Sequence, residues 1–397
     1  MKVFDYLNLA NPRYFKDNRM EAHSDHRYYK NEQELKGYSS FYFSLNGLWK
    51  FHYAKNQQSR IPDFEKPDYD ASGWDDIRVP AHIQLEGYDK PQYSNVEYPW
   101  ESHDDIKPGE IPTYFNPVAS YIKYFSIPEN MLGKRLFISF QGAESALALW
   151  LNGSFVGYSE DSFTPSEFEL TPYVCSGENK LAVQVFKWSS GSWTEDQDFF
   201  RFSGLYRDVF LFTVPDVHAY DITVMPTVSE SLNSAELKVD IDLWGSGSVE
   251  GILSKDGNIV ARLYGEGSGK LSMSVSVVHP ALWSAETPEL YDLLLTVKNM
   301  QGETTEVIPQ TVGFRRFELK NGIMHLNGKR IVFKGVNRHE FSSKTGRYVN
   351  FQELELDIKT MKRNNINAVR TSHYPNTPAI YDLCDKYGLY MIAETNM

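Results

Sequence analysis

The spacing of apolar residues changes once along the chain, near residue 317, and this change restricts the possible folds more than any other feature. Before it, apolar residues recur at every second position, the period of strands. RLFISFQ (135–141) alternates Leu136, Ile138 and Phe140 with Arg135, Ser139 and Gln141. SALALWL, the turn pair Asn152-Gly153 and SFVGYS follow as a hairpin. KLAVQVF (180–186) and DVFLFTV (208–214) add further strands, with long loops between them. Many short strands joined in this way predict a jelly-roll β-sandwich over residues 38–215. A second all-β stretch occupies 216–316: AELKVDIDLWG aligns Leu237, Val239, Ile241 and Leu243 on one face, and Asp256-Gly257 marks a turn. KLSMSVSVV and ELYDLLLTVKN complete an immunoglobulin-like β-sandwich without cysteines. GEGSGKL (265–271) reads as a hairpin loop, since it lacks the Walker spacing and lies between strands.

Beyond residue 317 strands alternate with helices. RIVFKGVN (330–337) predicts a buried strand. NFQELELDIKTMKRNN predicts a helix with the stripe Phe351, Leu354, Ile358 and Met361, capped by Asn350 and Glu353. NAVRTSHYP (367–375) is a second strand, and Thr377-Pro378 opens a second helix carrying Ile380, Leu383, Cys384 and Tyr387, closed by Gly388. LYMIAET is a third strand. Crossovers of this length make the three strands parallel. No G-x-G-x-x-G follows the first strand; Asn337, Arg338, His339, Arg370 and His373 stand at the strand ends instead. Polar groups at the carboxyl ends of successive strands mark a (β/α)8 TIM barrel, which takes about 250 residues. Residues 317–397 are enough for three βα strands, so the expectation is an incomplete barrel with Met397 a cut rather than an end. Residues 1–37 form either an arm over the barrel or a flexible lead.

The balance of 52 acidic against 40 basic residues, a formal −12, argues against nucleic acid or an anionic membrane as partner. MKVFDYLNLANP has no apolar signal core, and no run approaches a membrane span, which predicts a cytoplasmic chain. Cys175 and Cys384 fall in different predicted domains, so no disulfide is expected, and the sequon at Asn152 reads as turn chemistry. The 25 Tyr and 24 Phe suit sites that offer flat apolar faces to sugar rings.

NAVRTSHYPNTPAIYDLCDKYGLYMI resembles the signature of glycoside hydrolase family 2, and KGVNRHEF resembles the first barrel strand of that family. LNGLWKF (45–51), VPAHIQLEGYDKPQYSNVEYPW (79–100), WLNGSFVGYSEDSFTPSEFEL (150–170), GENKLAVQVFKWSSGSWTEDQDFFRFSGLYRDV (177–209) and LWSAETPELYDLLL (282–295) extend the likeness over nearly the whole chain from residue 38. The YSNV and EDQD segments resemble the lactose-hydrolysing β-galactosidase branch. The resemblance implies retaining hydrolysis of β-galactosides by the full-length protein, with Mg2+ and Na+ bound and a homo-oligomeric assembly. It also implies that the proton-donating and nucleophilic glutamates lie on later barrel strands, and that a magnesium site begins just past Asn396-Met397. This chain alone is then expected to be inactive. Two alternatives are a carbohydrate-binding module and one subunit of a two-chain glycosidase.

Asp198 is the foremost acidic candidate; by resemblance it binds galactose and sodium, and otherwise it is a loop carboxylate accepting backbone N–H bonds. Glu195 and Asp196 read as framework. Asn95 carries the donor and acceptor that a sugar hydroxyl needs, or simply forms a turn. His339 and His373 lack zinc-ligand spacing; by resemblance they donate to galactose hydroxyls and to charge developing in the transition state, and otherwise they are satisfied core histidines. Arg370 suits holding a carboxylate, by resemblance the nucleophile, with Glu394 as the structural alternative.

Overall fold

The computed structural model describes residues 3–101 and 104–395. Seven antiparallel strands form the larger sheet of the jelly roll, in the order Lys16–Asp17, Ser154–Glu160, Ala146–Leu151, Glu178–Phe186, Val118–Ser126, Gly47–Ala54 and Asp75–Val79. Ser166–Glu169, Leu136–Phe140, Val209–Thr213 and Tyr42–Ser44 make the facing sheet. Between them lies a core that includes Trp49, Phe51, Tyr121, Ile138, Leu149, Val183 and Leu211. The hairpin turns at Asn152 and Gly153 with φ of 52° and 82°, the left-handed geometry that an Asn-Gly pair adopts cheaply.

The alternation in RLFISFQ suggests a strand with one wet face, yet every residue of Leu136–Phe140 and Ala146–Leu151 is buried. Other parts of the chain cover their outer faces. Phe137 stacks on Phe212 at 5.1 Å within the core shared with the second sandwich. Ala146, Ala148 and Trp150 lie under Phe4 and Leu9 of the N-terminal residues, with Phe155, Tyr158 and Phe186 in the same cluster. Lys16 and Asp17 continue this cover by pairing with Ser159 and Tyr158, and Tyr29 exchanges backbone hydrogen bonds with Val307. The N-terminal residues therefore form an ordered arm, and it lies chiefly over the two sandwiches rather than over the barrel strands.

In the second sandwich, Ser234–Lys255 pairs with His218–Val228 along its first half and with Tyr291–Asn299 along its second. With its partner Asn258–Val278 it forms a ribbon that passes from one layer to the other. The register shifts between Leu243 and Ser246, opposite Gly269 and Ser268. GEGSGKL is thus the bend inside a strand and not a hairpin loop; its glycines take φ of 151° and 68° at residues 267 and 269. Asp256-Gly257 makes the turn, as its sequence predicts.

Two parts of the chain position the site. A short ribbon of the jelly roll pairs β1 (Gln92–Ser94) with β2 (Phe199–Arg201). Beyond the second sandwich, β3 (Gly335–Arg338), α1 (Phe351–Arg363), β4 (Ala368–Thr371), α2 (Ala379–Tyr387) and β5 (Tyr390–Ile392) form the βαβαβ order, with parallel pairing β3–β4–β5. Asn350 and Glu353 close a capping box, and Gly388 ends α2 at φ 76°. Leu354, Ile358 and Met361 of α1 pack with Val369 and with Ile380, Leu383 and Cys384 of α2. Phe351 departs from the expected stripe and is exposed, lining an open cleft between domains. RIVFKGVN also departs from expectation: only its last residues enter the strand, and Val332 and Val336 are exposed. A barrel strand is buried by neighbours on both edges, whereas among the described residues β3 pairs with β4 alone.

Candidate functional site

Parallel registry sets the barrel side of the site. Asn337 pairs with Arg370 and Arg338 with Thr371, so the residues that follow, His339 and His373, emerge side by side at the strand ends. Their rings meet edge to face at 5.4 Å. Just beyond β5, Glu394 anchors its own N–H on Thr371 Oγ1 at 2.9 Å. Its carboxylate takes Arg370 Nη2 at 2.6 Å and His373 Nδ1 at 2.9 Å. Arg370 also reaches Asn337 Oδ1 at 3.4 Å. The expected alternative partner of Arg370 is therefore in place. Burial first, then the neighbouring His373 and Arg347, hold the His339 imidazole below its ordinary pKa against the pull of Asp198 and Glu394. A neutral ring offers one donor and one acceptor, the pair that a hydroxyl uses.

The jelly roll supplies the facing wall. Ser94 and Phe199 are the last paired residues of the β1–β2 ribbon, so Asn95 and Asp198 leave it together at one end. Tyr93 donates its hydroxyl to Asp198, and that carboxylate pushes the phenol pKa up. Arg201 is buried and holds the loop from behind, with Nη2 on Asp196 Oδ1 at 2.6 Å and on the Gln197 carbonyl at 2.9 Å, and Nε on Ser94 Oγ at 3.1 Å. Glu195 accepts the Ser162 N–H at 2.8 Å and hydroxyl at 2.5 Å, while burial drives its pKa up to about 8. Glu195 and Asp196 thus support the loop, as expected of them. Asn95 is exposed on the open side.

Phe199, next to Asp198, meets Tyr374 at 5.7 Å, and the same Tyr374 ring lies 6.1 Å from His339, which brings the two walls together. Beside them Phe200 stacks on Phe341 at 5.4 Å and meets Tyr93 at 5.4 Å, leaving partly exposed aromatic faces. Chemically these groups offer neutral and charged donors, acceptors and flat apolar rings, the kinds of group that recognise a sugar. Its carboxylates are engaged in positioning, Glu394 by Arg370 and His373, Asp198 by Tyr93. Sequence reasoning missed Tyr93, Phe200 and Phe341. Tyr93 lies two residues before Asn95, so strand alternation would have placed both on one side. Phe200 and Phe341 carry no such signal, since only folding brings them into contact.

A cleft of about 1160 Å3 lies elsewhere, between the arm, both sandwiches and the helices α1 and α2, lined by Arg27, Asp208, Asp292, Tyr348 and Asp382 among others. Among the described residues no group of three or more His, Cys, Asp or Glu gathers to hold a metal ion. Cys175 is exposed and Cys384 buried within α2, both as free thiols. No helix of the described residues is long and apolar enough to cross a membrane.

Two β-sandwiches followed by parallel βα units, with polar groups at the strand ends, set the domain order of the chain. Three family patterns match in the same order: glycosyl hydrolases family 2, sugar binding domain, over residues 42–215; glycosyl hydrolases family 2 over 217–315; and glycosyl hydrolases family 2, TIM barrel domain, over 317–397. The chain belongs to glycosyl hydrolase family 2. It is 54% identical to a β-galactosidase of Halalkalibacterium halodurans over 96% of this chain and 39% of that protein. It is 43% identical to the β-galactosidase large subunit of Leuconostoc lactis, over 98% of this chain and 65% of the relative. The chain thus spans about two fifths of the length of its full-length β-galactosidase relatives. Among solved structures, a β-glycosidase from Bacteroides vulgatus superposes with a TM-score of 0.72 at 26% identity, over 89% of this chain and 44% of that one. A Bacteroides uniformis β-glucuronidase shares the fold at TM-score 0.75 and 23% identity, over 90% of this chain and 42% of that one.

Proposed function

We propose that the chain forms the substrate-recognising part of a β-galactosidase that removes terminal non-reducing β-D-galactose from β-galactosides such as lactose, with retention. The observation that carries this reading is that Phe199, beside Asp198 in the jelly roll, packs on Tyr374, which also meets His339 next to His373 at the barrel strand ends, in a chain whose relatives are named β-galactosidases. In this reading Asn95, Asp198, His339 and His373 bind galactose hydroxyls. Arg370 holds and orients a carboxylate, with Glu394 its partner within this chain. Retaining hydrolysis needs two carboxyl groups about 5–5.5 Å apart, one as nucleophile and one as acid then base. We assign neither role to a residue of this chain, which by itself is expected to bind weakly and not to turn over.

The accompanying division is an arm (1–37), a jelly-roll sugar-binding domain (38–215), an immunoglobulin-like sandwich (216–316) and the start of the catalytic barrel (317–397). Sodium at Asp198 belongs to the same proposal; among the described residues no group of three or more His, Cys, Asp or Glu gathers, and neither sodium nor magnesium carries a step of this reading. A cytoplasmic homo-oligomer is the setting we favour. A second reading, one subunit of a two-chain enzyme, draws on the large-subunit relatives, of which this chain covers 65%.

The test compares this chain with a version extended to the length of the Halalkalibacterium halodurans relative, both assayed on a nitrophenyl β-galactoside and on lactose. The extended protein should release β-galactose first, seen by NMR before mutarotation, and Asp198→Asn or His339→Phe should cut kcat/KM by about a hundredfold or more. Turnover of lactose by the isolated chain, or preference of the extended protein for a glucuronide, would overturn the proposal.

A further inference from the structure

Each of three candidate galactose-binding residues is next in sequence to a residue buried in one joint. Phe199 follows Asp198, Glu340 follows His339, and Tyr374 follows His373. At the centre of that joint is Arg347, on the loop between β3 and α1 and about 1% exposed. Its guanidinium lies 4.8 Å from the centre of the Phe199 ring, 5.3 Å from Tyr374, and 5.4, 5.5 and 5.9 Å from Phe163, Phe202 and Tyr206. It donates to the Glu144 carboxylate and to the Phe200 carbonyl, and Glu144 Oε1 also accepts the Phe202 N–H at 3.2 Å. The Arg347 N–H bonds His82 Nε2 at 3.1 Å, on a ring stacked on Phe202 at 4.3 Å and on Tyr206 at 4.9 Å. Arg207 of the jelly roll closes the same joint from the other side, meeting Glu340 Oε2 at 2.7 Å and the Pro375 carbonyl at 2.9 Å. Glu340 Oε1 takes the Thr377 N–H at 2.8 Å.

We propose that Arg347, clamped by Glu144 and the aromatic cage, is a positioning residue that sets the distance between the Asp198 ribbon and the His339–His373 strand ends. The inference rests on the galactose-binding role proposed above for those three residues. Its physical basis is chain continuity: Asp198, His339 and His373 are each one peptide bond from a residue buried in the joint, so fixing Phe199, Glu340 and Tyr374 fixes where the backbone of their neighbours enters the site. A forked, permanently charged group surrounded by ring faces has few arrangements open to it, whereas an apolar contact could slide. Two domains joined through such a group hold ligands from both walls at one spacing, and an error of about 1 Å there costs on the order of a hundredfold in rate.

Two measurements test it. Spin labels at Ser72→Cys on the jelly roll and Gln352→Cys on α1, both exposed positions, in a Cys175→Ser background report the distance between domains in this chain. Arg347→Gln, Arg347→Lys and Glu144→Gln should each broaden or shift a narrow distribution; an unchanged distribution in all three overturns the proposal. In the extended protein, Arg347→Gln should raise the inhibition constant of galactose about tenfold or more. Combined with Asp198→Asn it should add little further loss, because both act through one contact. Losses that simply multiply would show that Arg347 only supports the fold, and overturn it. If Arg347→Gln does not fold, Arg347→Lys and Glu144→Gln carry the same comparison. An extended protein with no galactosidase activity would sink the functional reading, while the spin-label distances would still decide whether Arg347 sets the joint.

Discussion

Acidification should undock the N-terminal arm through His26. Its Nδ1 contacts Ser24 Oγ at 2.9 Å, and Ser24 in turn receives the Ile222 N–H at 2.8 Å and gives its own N–H to Asp221 at 2.7 Å. Burial first, then the neighbouring His218 and His23, push the His26 pKa down to about 4. The ring lies 6.4 Å from His218, itself held by Glu306 at 2.8 Å. A folded value below the free value of about 6.5 means that the undocked arm takes up the proton first. Stability is then level above pH 6.5 and falls as pH drops from 6.5 towards 4. At pH 5 the shift of about 1.5 units between the free value and the solution corresponds to about 2 kcal/mol, or nearer 1 kcal/mol because the ring keeps some hydration. That is about a five- to thirtyfold rise in arm opening. Two neighbours act in the opposite sense. For His23, burial lowers the pKa, but the hydrogen bond and charge of Glu167 at 2.7 Å outweigh it, so its contribution is present in acid and lost as pH rises. Asp25, pushed up chiefly by burial, also favours the docked state in acid. Hydrogen exchange of a peptide spanning residues 25–30, which includes the Tyr29 amide bonded to Val307, is the assay, corrected for the intrinsic pH dependence. Protection should fall between pH 7 and 5 while the Ala146–Leu151 strand stays protected, and His26→Phe should abolish most of the change. Equal protection at both pH values, or an undiminished acid loss in His26→Phe, would refute the reasoning.

Arg207→Met should lower stability by about 3–5 kcal/mol, because it leaves the buried Glu340 carboxylate without its charged partner, and the double variant with Glu340→Met should recover much of that in thermal melts. Phe4→Ala removes a buried ring that meets Tyr6, Trp150, Phe155, Tyr158 and Phe186 at 5.0–6.1 Å, so it should cost about 3–5 kcal/mol of arm docking and expose the arm to limited proteolysis. Glu394→Gln removes a half-exposed ion pair and should change stability by less than about 1 kcal/mol, yet its loss should broaden the guanidinium NMR signal of Arg370.

Strand and helix identity, the two tight turns and both helix caps were legible in the sequence, because each depends on residues within a few positions of one another. Asn350 with Glu353, Gly388, and Asn152 with Gly153 each do what their local chemistry requires. The candidate ligands at the strand ends were legible for the same reason, since polar residues that close an apolar run stand out. Burial of the outer faces was not legible. Whether Trp150 meets water or Phe4 depends on a segment more than 100 residues away in sequence. The reading of GEGSGKL as a loop failed likewise, because only pairing with Leu243–Val249 turns a glycine-rich stretch into a bent strand.

The sequence by itself determined the period of each segment, the order of two sandwiches and a parallel βα unit, and the residue types available to recognise a sugar. Tertiary structure alone decided that the segments carrying Asp198 and His339 meet through Phe199 and Tyr374, that Arg347 sits in a cage of rings drawn from both the jelly roll and the barrel strand ends, and that the arm covers the sandwiches. The physical reason is range: backbone propensity and capping act over a few residues, whereas burial and charge pairing act between whichever surfaces the folded chain brings together.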